Sequence, residues 1–315
     1  MSDAATGAPG ASGIASSKVL SMREAIARYV HDGDTVVIEG FTHLICFAAG
    51  HEIIRQRRRD LVLCRLTPDL IYDQLIAAGC ARKLVFSWAG NPGVGSLHAF
   101  RRAVEQGKPP LEIEEYSHFG MVARFSAGAA HLPFWPLRDY QGTDIPVSNP
   151  LIKRVTCPFT GESLAAVPAL NPDVTIVHAQ RADAEGNAQI WGLLGVQKEA
   201  AFASKHVIVV VEELVSTSVV RADPNRTLIP GVIVDAVVVE PWGAHPSYAQ
   251  GHYDRDNEFY VAWDDIARDP ATLASYLDKY VMGVSDRSEY LALHEGLTTR
   301  LAARDMFCPG VNYGY

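Results

Sequence analysis

The feature that most constrains the fold is an apolar run at residues 174–179. The Asn-Pro-Asp sequence before it, residues 171–173, disfavours helix, and the Asp-Ala-Glu-Gly-Asn sequence after it, residues 183–187, predicts a turn. A short run of this kind, interrupted by only two polar residues, is typical of a strand buried on both faces. Such a strand needs a layer of helices on each side of its sheet.

Similar runs alternate with helical patterns along most of the chain, and Ser21 with Glu24 predicts a capping box for the first helix. This alternation predicts an α/β fold: an open, largely parallel sheet covered by helices on both faces. Residues 132–172, which are rich in Pro and Gly, are predicted to be a long excursion over the surface. The predicted strands are residues 35–38, 61–64, 84–87, 112–116, 174–179, 188–191, 206–211 and 229–239, and the later predicted helices are residues 48–59, 67–76, 97–105, 121–130, 196–203, 270–281 and 288–302.

The composition is that of a globular protein. The chain has 315 residues, of which 48% are hydrophobic and 20% charged, which is enough for a sizeable core. Its formal net charge of −8 argues against nucleic-acid binding, because neutralising phosphates requires a clustered excess of Lys and Arg. We expect a disordered tail at residues 1–17 and a single domain over residues 18–315 with terminal helices.

Five cysteines without close pairs predict neither a disulfide framework nor a zinc site, so we expect reduced thiols and a cytoplasmic location. No apolar stretch approaches the roughly 20 residues that a membrane helix needs. The basic run at residues 55–59 is interpreted as a solvated helix C-terminus, where cations complement the helix dipole. The alternative is a contact with the phosphates of a nucleotide-like cofactor.

Glycine-containing turns follow two predicted strands at the carboxyl edge of the sheet, where open α/β sheets bind ligands. Their glycines let backbone N–H groups approach a bound group, although the second turn also fits a tight connection without a ligand. Glu39 is a candidate acid or base, or else a structural carboxylate that pairs with a buried arginine or with backbone donors. His118 is a candidate pocket residue, or else a hydrogen-bonded structural histidine. We predict a catalytic role for Glu39 and substrate contacts at Gly40, Phe41, Thr42, His43, Ser87, Trp88, Gly90, Asn91 and His118.

Two adjacent carboxylates, Glu212 and Glu213, directly follow the predicted strand at residues 206–211. A carboxylate at a strand end is a candidate nucleophile. The alternatives are that the pair caps a helix or binds Arg221.

Several motifs in a fixed order carry a family resemblance. Residues 32–41, 211–213 and 243–247 contribute, together with Ala129 and the Leu-Pro-Phe sequence that begins at Leu132. These motifs resemble the family I coenzyme A transferases, in particular α subunits of the glutaconate CoA-transferase type, and the likeness covers roughly residues 18–290. The central motif is Asp173…Ile176-Val177-His178-Ala179-Gln180…Gly186-Asn187…Ile190-Trp191-Gly192.

The resemblance implies chemistry through an enzyme glutamate. Its carboxylate attacks the acyl-CoA thioester to give an acyl-glutamyl anhydride and then a glutamyl-CoA thioester, from which CoA passes to a second acid. In the family this glutamate lies in the β half, in a motif such as Ser-Glu-Asn-Gly that this sequence lacks. The local sequences around Glu162 and Glu212 lack the Asn-Gly that would supply oxyanion donors. The family turn corresponding to residues 39–41 reads Gly-Gly-Phe, so Glu39 is a departure from it.

The chain therefore resembles the α half of a heteromer. The implied partner is a β subunit, in a heterodimer or a larger assembly, and coenzyme A is implied as a substrate, with no permanently bound cofactor and no metal. The acid stays open between glutaconate, 3-oxoadipate and other dicarboxylic or 3-oxo acids, because the β half forms much of the pocket. Aromatic residues expected at the partner interface are Phe134, Trp135, Tyr140, Trp242, Tyr248 and Tyr253.

Two other functions stay open. Some relatives on this scaffold hydrolyse or decarboxylate acyl-CoA compounds. The ring-opening hydrolases use an acidic residue whose place lies near Phe119 here, and the lack of that carboxylate argues against hydrolysis. A ligand-sensing module of a regulator would carry a DNA-binding helix pair and a basic face, and the sequence predicts neither.

Overall fold

The computed structural model describes residues 17–92 and 94–303. The predicted tail at residues 1–17 lies outside the described residues except for Ser17, and so does Cys308. The four described cysteines, Cys46, Cys64, Cys80 and Cys157, are free thiols.

A ten-stranded sheet forms the centre of the described chain. Its parallel strands are β1 (Val19–Leu20), β2 (Thr35–Glu39), β3 (Leu61–Cys64), β4 (Ala81–Phe86), β5 (Glu112–Glu115), β9 (Val174–Ala182), β11 (His206–Leu214) and β13 (Ala236–Val239). They lie in the order β1-β13-β11-β9-β2-β3-β4-β5. Two short strands, β10 (Ala188–Gln189) and β12 (Thr227–Ile229), extend this sheet in antiparallel pairing.

Strand β9 occupies the middle of the sheet, between β2 and β11. Val174 is aligned with Val36 on one side and with His206 on the other. All nine residues of β9 are buried except Arg181, which is partly exposed. The strand is three residues longer than its apolar run indicates, because the residues after that run continue the parallel pairing with β11.

Helices cover both faces of the sheet, so the predicted α/β architecture is confirmed. Alternate strand residues enter different cores: Ile38 packs under α1–α4, whereas Val37 packs under α5. The helices are α1 (Met22–Tyr29), α2 (Phe47–Arg55), α3 (Leu70–Ala77), α4 (His98–Gln106), α5 (His118–Ala129), α6 (Ile145–Ser148), α7 (Gln197–Ala203), α8 (Thr217–Ala222), α9 (Asn257–Arg268), α10 (Pro270–Leu277), α11 (Arg287–Ala292) and α12 (Leu297–Arg300).

The capping box predicted at the start of α1 is present. The Ser21 side chain accepts a hydrogen bond from the Glu24 N–H, and the Glu24 carboxylate accepts from the Ser21 N–H. Such reciprocal bonds satisfy two of the N–H groups that a helix start leaves without partners.

Residues 132–172 are not the irregular excursion that their composition predicted. They form a small antiparallel sheet of β6 (Phe134–Leu137), β7 (Lys153–Thr156) and β8 (Ser163–Pro168), in the order β6-β8-β7. Its strands have only four to six residues, and prolines stand in two of them, so period-two alternation is hard to read. Leu137 and Val167 bury its inner face against α5.

The prediction of a single strand at residues 229–239 was wrong. Pro230 and Gly231 open a 3₁₀ turn, Gly231–Ile233, and β13 begins only at Ala236. Asp235 lies between them because its carboxylate accepts a hydrogen bond from the Val207 N–H at the start of β11. The polar residue in an otherwise apolar run thus marks a break.

The C-terminal part contains a helix that the patterns did not indicate, α9. Its Trp263 is fully buried and donates a hydrogen bond from its indole nitrogen to Asp73 of α3, at 3.2 Å. The predicted helix at residues 270–281 ends as a π-helical turn, Asp278–Met282. The one predicted at residues 288–302 is divided into α11 and α12 at Gly296, whose φ is +69°.

No helix in residues 17–92 and 94–303 combines the length and apolar character needed to cross a bilayer.

Candidate functional site

A groove of about 300 Å³ lies at the carboxyl edge of the main sheet. Residues that follow β2, β3 and β10 meet there with the first turns of α5 and α7. Its lining is mostly apolar, with a histidine and one carboxylate: Phe41, Leu66, His118, Val122, Leu194, Gly195, Val196 and Glu199. This edge is where open α/β sheets bind ligands.

Three of the predicted site residues come together at the groove. The rings of Phe41 and His118 lie edge to face, with centroids 6.0 Å apart, and His118 Nδ1 lies 3.0 Å from Ser87 Oγ. The Ser87 hydroxyl donates its single hydrogen to the Leu66 carbonyl at 2.6 Å. His118 Nδ1 is therefore the donor to Ser87, which leaves Nε2 of the neutral ring as an acceptor.

Glu39 ends β2 beneath this groove and is fully buried. Neither carboxylate oxygen has a well-aligned hydrogen bond within the described residues. Burial raises the pKa of Glu39 from 4.5 to about 7, and the Arg65 charge and the nearby N–H groups of Gly40 and Val196 offset only part of that effect. Glu39 therefore exchanges its proton near neutral pH.

The pairing of Glu39 with a buried arginine, considered from the sequence, is only partly present. Arg65 is buried nearby, but it binds Asp69 through Nη1 and Oδ1 at 2.9 Å and donates to the Gly40 carbonyl. Two buried acids thus share one guanidinium. Burial raises the pKa of Asp69 as well, so one proton on the pair relieves the excess negative charge.

Gly195 separates Glu39 from the groove. A Cβ atom at this position would lie 2.9 Å from Glu39 Oε1 and 3.1 Å from Phe41 Cβ. Both contacts are shorter than ordinary Cβ contacts, so an alanine at this position would displace the Glu39 carboxylate or Phe41. Gly195, which lines the groove, therefore lies directly beside the Glu39 carboxylate.

The rest of the turn after Glu39 is structural. A Cβ atom on Gly40 would lie 2.6 Å from the Leu44 carbonyl oxygen, and Thr42 adopts a φ of +58°. His43 is buried and connects two loops, since its Nε2 accepts from the Gln250 N–H and its Nδ1 contacts the Leu193 carbonyl, each at 3.0 Å. Burial lowers the pKa of His43 to about 4, so the ring is neutral.

The other predicted contacts lie outside the groove lining. Trp88 is 47% exposed, and the ring of Trp88 fills the space where a side chain on Gly90 would lie. Asn91 is buried, and its amide donates to the Tyr260 carbonyl of α9 at 2.7 Å. The loop after β4 is therefore mainly a connection packed on α9.

Glu212 is neither a free nucleophile nor a partner of Arg221. It lies inside β11, where Oε1 accepts from His178 Nε2 and from the Tyr253 hydroxyl, each at 2.6 Å, and Oε2 accepts from the Trp242 N–H at 2.7 Å. Burial opposes ionisation, but these donors hold the pKa of Glu212 below its ordinary value. Its role is to attach the segment around Trp242 to the sheet.

The aromatic residues expected at the partner interface differ in how exposed they are. Tyr140 and Tyr253 are buried, and Tyr253 stacks on Trp242 at 4.2 Å between centroids. Phe134 remains 40% exposed. Tyr140 and Tyr253 therefore pack within this chain and stabilise it.

Arg65, Leu194 and Gly195 are site residues that the sequence did not indicate. Arg65 is a charged residue directly after a short apolar strand, which was an available signal. Gly195 follows Leu193 and Leu194 in a segment without periodicity, so nothing in the sequence connected it with Glu39. Among the described residues, no cluster of three or more His, Cys, Asp or Glu side chains has the arrangement of a metal site.

An open parallel sheet with a ligand groove at its carboxyl edge is accompanied by a direct family match. The family described as coenzyme A transferase matches residues 19–240, and the chain belongs to it. The predicted relationship to CoA-transferase α subunits is confirmed.

Individual relatives agree with this assignment over nearly the whole chain. One subunit of the 3-oxoadipate CoA-transferase of Pseudomonas knackmussii is 58% identical over 276 residues, which cover 87% of this chain and 97% of that protein. The equivalent subunit of the glutaconate CoA-transferase of Acidaminococcus fermentans is 35% identical, covering 87% of this chain and 91% of that protein. The crystal structure of glutaconate coenzyme A-transferase from the same organism superimposes with a TM-score of 0.86 at 34% identity, covering 91% of this chain and 96% of that one.

Proposed function

We propose that this chain is the α subunit of a cytoplasmic heteromeric transferase that moves coenzyme A between an acyl-CoA and 3-oxoadipate or a closely related 3-oxo dicarboxylic acid. The observation that carries this proposal is the apolar groove over Glu39, together with the 58% identity to a protein named for 3-oxoadipate. The groove supplies one wall of the acid pocket. The partner β subunit supplies the rest, including the nucleophilic glutamate.

The chemistry divides between the two subunits. The β-subunit carboxylate attacks the thioester carbon and expels the CoA thiolate, which then attacks the resulting anhydride at the glutamyl carbon and releases the first acid. The second acid attacks the glutamyl-CoA thioester and again releases the thiolate. The thiolate then attacks the acyl carbon of the new anhydride, which forms the new acyl-CoA and releases the glutamate carboxylate. On this chain, Phe41, Val122 and Leu194 hold the carbon chain of the acid away from water.

His118 and Ser87 form the polar end of the groove. With its Nδ1–H committed to Ser87, the neutral His118 ring presents an acceptor at Nε2, and the protonated ring presents a second donor. We assign this pair to an oxygen of the bound acid. Trp88, Gly90, Asn91 and the turn residues Thr42 and His43 support the loops rather than contact the acid.

Glu39 acts through the groove floor. When protonated, it leaves the floor uncharged, and an anionic acid can lie over Gly195. When ionised, it repels that acid through a buried and poorly screened path. Glu39 is thus a positioning residue, which modifies the proton-transfer role predicted from the sequence.

The location of the covalent intermediate tests whether the nucleophilic glutamate belongs to the β subunit. The complex with the β subunit from the same organism is incubated with acyl-CoA, reduced with borohydride, digested and analysed by peptide mass spectrometry. We expect the reduced glutamate only on the β subunit. Modification of Glu39, Glu162, Glu199, Glu212 or Glu213 would overturn the assignment, and Glu199 is included because it lines the groove.

The acid is tested by comparing kcat/KM for 3-oxoadipate, glutaconate and a monocarboxylic 3-oxo acid with the same acyl-CoA donor. We expect 3-oxoadipate to be preferred. This chain expressed alone should transfer no CoA, and equal rates for the three acids would contradict the substrate assignment.

A further inference from the structure

Gln197 lies behind the lining of the groove, at the first residue of α7, and only 1% of its surface is exposed. Its Oε1 accepts a hydrogen bond from the Gly195 N–H at 2.6 Å. Because an N–H group can bond only to the oxygen of a side-chain amide, this contact fixes which way the amide points. Its Nε2 group has two hydrogens and no hydrogen-bond partner within residues 17–92 and 94–303. Gln197 therefore offers buried donors that the chain leaves unused.

The Glu39 carboxylate provides complementary acceptors. It is fully buried, and neither of its oxygens has a well-aligned hydrogen bond in the described part of the chain. The point at which a Cβ atom on Gly195 would lie is 2.9 Å from Glu39 Oε1 and 3.5 Å from Gln197 Oε1. The amide and the carboxylate therefore converge beside Gly195, the first with free donors and the second with free acceptors.

A hydrogen bond between these two groups depends on the proton of Glu39. A buried amide without an acceptor and a buried carboxylate without donors are both unfavourable, and one bond between them removes both costs. Hydrogen bonds to an ionised group are roughly twice as strong as those between neutral groups. The Gln197 amide therefore stabilises ionised Glu39 more than protonated Glu39.

Arg65 is the rival donor to Glu39. Its Nη1 and Nη2 are bound to Asp69 and to the Gly40 carbonyl, and its Nε has no partner among the described residues. One guanidinium cannot neutralise two buried acids, so a neutral donor still stabilises the second charge. The titratable groups around Glu39 are Arg65 and Asp69 after β3, Tyr72 of α3 and, in the groove above it, His118 of α5 and Glu199 of α7.

The same amide holds the segment that lines the groove. The Leu193 carbonyl lies 3.0 Å from His43 Nδ1, and the Gly195 N–H donates to Gln197, so this short segment is fixed at both ends. Leu194 stands between the two contacts, is 43% exposed and lines the groove. A change at the amide therefore reaches the wall of the groove directly.

We propose that Gln197 is a positioning residue, which holds Gly195 through Oε1, donates to ionised Glu39 through Nε2, and thereby sets the pH above which the groove binds an anionic acid weakly. The link to acid binding rests on the proposed function, whereas the hydrogen bond is a property of the folded chain. Since the amide favours the ionised form, its removal should keep Glu39 protonated to a higher pH.

Infrared difference spectroscopy of the complex with its β subunit tests the hydrogen bond without any substrate. The carboxyl band of protonated Glu39, identified by its loss in Glu39→Gln, is followed from pH 5 to pH 9. Gln197→Met keeps an unbranched side chain but has no donor, and it should raise the midpoint of this titration by about one pH unit. The matched control is Gln106→Met at the exposed end of α4, which should leave the midpoint unchanged. An unchanged midpoint in Gln197→Met would overturn the proposal.

A second variant separates the donor from the contact with Gly195. Gln197→Glu keeps an acceptor for the Gly195 N–H but loses the donor and adds a negative charge, so the Glu39 midpoint should rise by more than in Gln197→Met. A midpoint that stays the same or falls would contradict the assignment of Nε2 as the donor.

The KM for 3-oxoadipate, measured over the same pH range, tests the link to acid binding. In Gln197→Met, the rise in KM should move to higher pH together with the infrared midpoint. A KM raised by the same factor at every pH would show a purely structural role for Gln197 and overturn the proposal. If the complex does not use 3-oxoadipate, the proposed function fails, but the infrared titration still decides whether Gln197 donates to Glu39.

Discussion

Replacing Glu39 by Gln removes a buried charge without changing the shape of the side chain. Burial raises the pKa of Glu39 from 4.5 to about 7, and each unit of such a shift corresponds to about 1.4 kcal/mol. Keeping the ionised carboxylate in the folded protein therefore costs about 3 kcal/mol. The amide of the variant carries no such penalty.

The sign follows from proton binding. The folded chain holds the Glu39 proton more tightly than the unfolded chain, so its contribution to stability is complete below pH 4.5. It declines as the pH rises, and the loss is complete above the folded pKa of about 7. Between pH 5 and pH 8, the free energy of unfolding of the wild type should fall by about 2–3 kcal/mol relative to Glu39→Gln.

Denaturant unfolding of the complex at pH 5, 6, 7 and 8, at fixed protein concentration, measures this difference. Glu213→Gln is the matched control, because it makes the same substitution at a side chain that is 57% exposed. Parallel pH profiles for the wild type and Glu39→Gln would refute the reasoning, since they would mean that Glu39 ionises as readily in the folded protein as in the unfolded chain.

The same variant separates positioning from proton transfer. If ionised Glu39 repels the bound acid, the wild-type KM should rise about tenfold from pH 6 to pH 8, and the KM of Glu39→Gln should stay constant. A loss of kcat of about 100-fold at all pH values would instead establish the acid or base role first predicted from the sequence.

Two further variants test the surroundings of the groove. Gly195→Ala should raise the KM for the acid and destabilise the protein by about 1–3 kcal/mol, because its Cβ would lie 2.9 Å from Glu39 Oε1; unchanged KM and stability would show that the groove floor adjusts freely. Glu212→Gln should lower stability by about 3 kcal/mol at pH 7, because an amide has a single acceptor oxygen for the three donors that the carboxylate binds. Tyr253→Phe is its milder companion. It loses the hydrogen bond that the hydroxyl donates to Glu212 and the one that it accepts from the Ala244 N–H, at a cost of about 2 kcal/mol, and thermal unfolding that ranks the tyrosine variant as the less stable would contradict this account.

The strands were predictable where burial on two faces leaves a continuous apolar signal. The segment Leu61–Cys64 was predicted with its observed ends, and the capping pair of Ser21 and Glu24 located the start of α1. Both signals depend on residues close together in sequence. The strand signal holds because the parallel sheet excludes water from both sides of each strand.

Predictions failed where distant contacts decide the structure. Glu212 was expected after the end of its strand, but hydrogen bonds from His178, Trp242 and Tyr253 keep it within β11. The antiparallel sheet in residues 132–172 depends on pairing between strands of four to six residues, which carry little periodicity of their own.

The candidate groove combines local and distant features in the same way. The carboxyl edge and the turn after β2 follow from strand order, whereas the position of Gly195 against Glu39 joins segments more than 150 residues apart. No local pattern encodes that approach. The buried state of Glu39 and its consequences for charge therefore became apparent only in three dimensions.

The hydrogen bond between Trp263 and Asp73 bears on how the chain is synthesised. It joins residues 190 positions apart, and α9 and α10 cover the apolar face of helices made in the first third of the chain. On a ribosome, that face stays open to water until residue 263 has emerged. Nascent chains that end before α9 therefore present an incomplete core to chaperones, and the time needed to translate the intervening residues sets how long that exposure lasts.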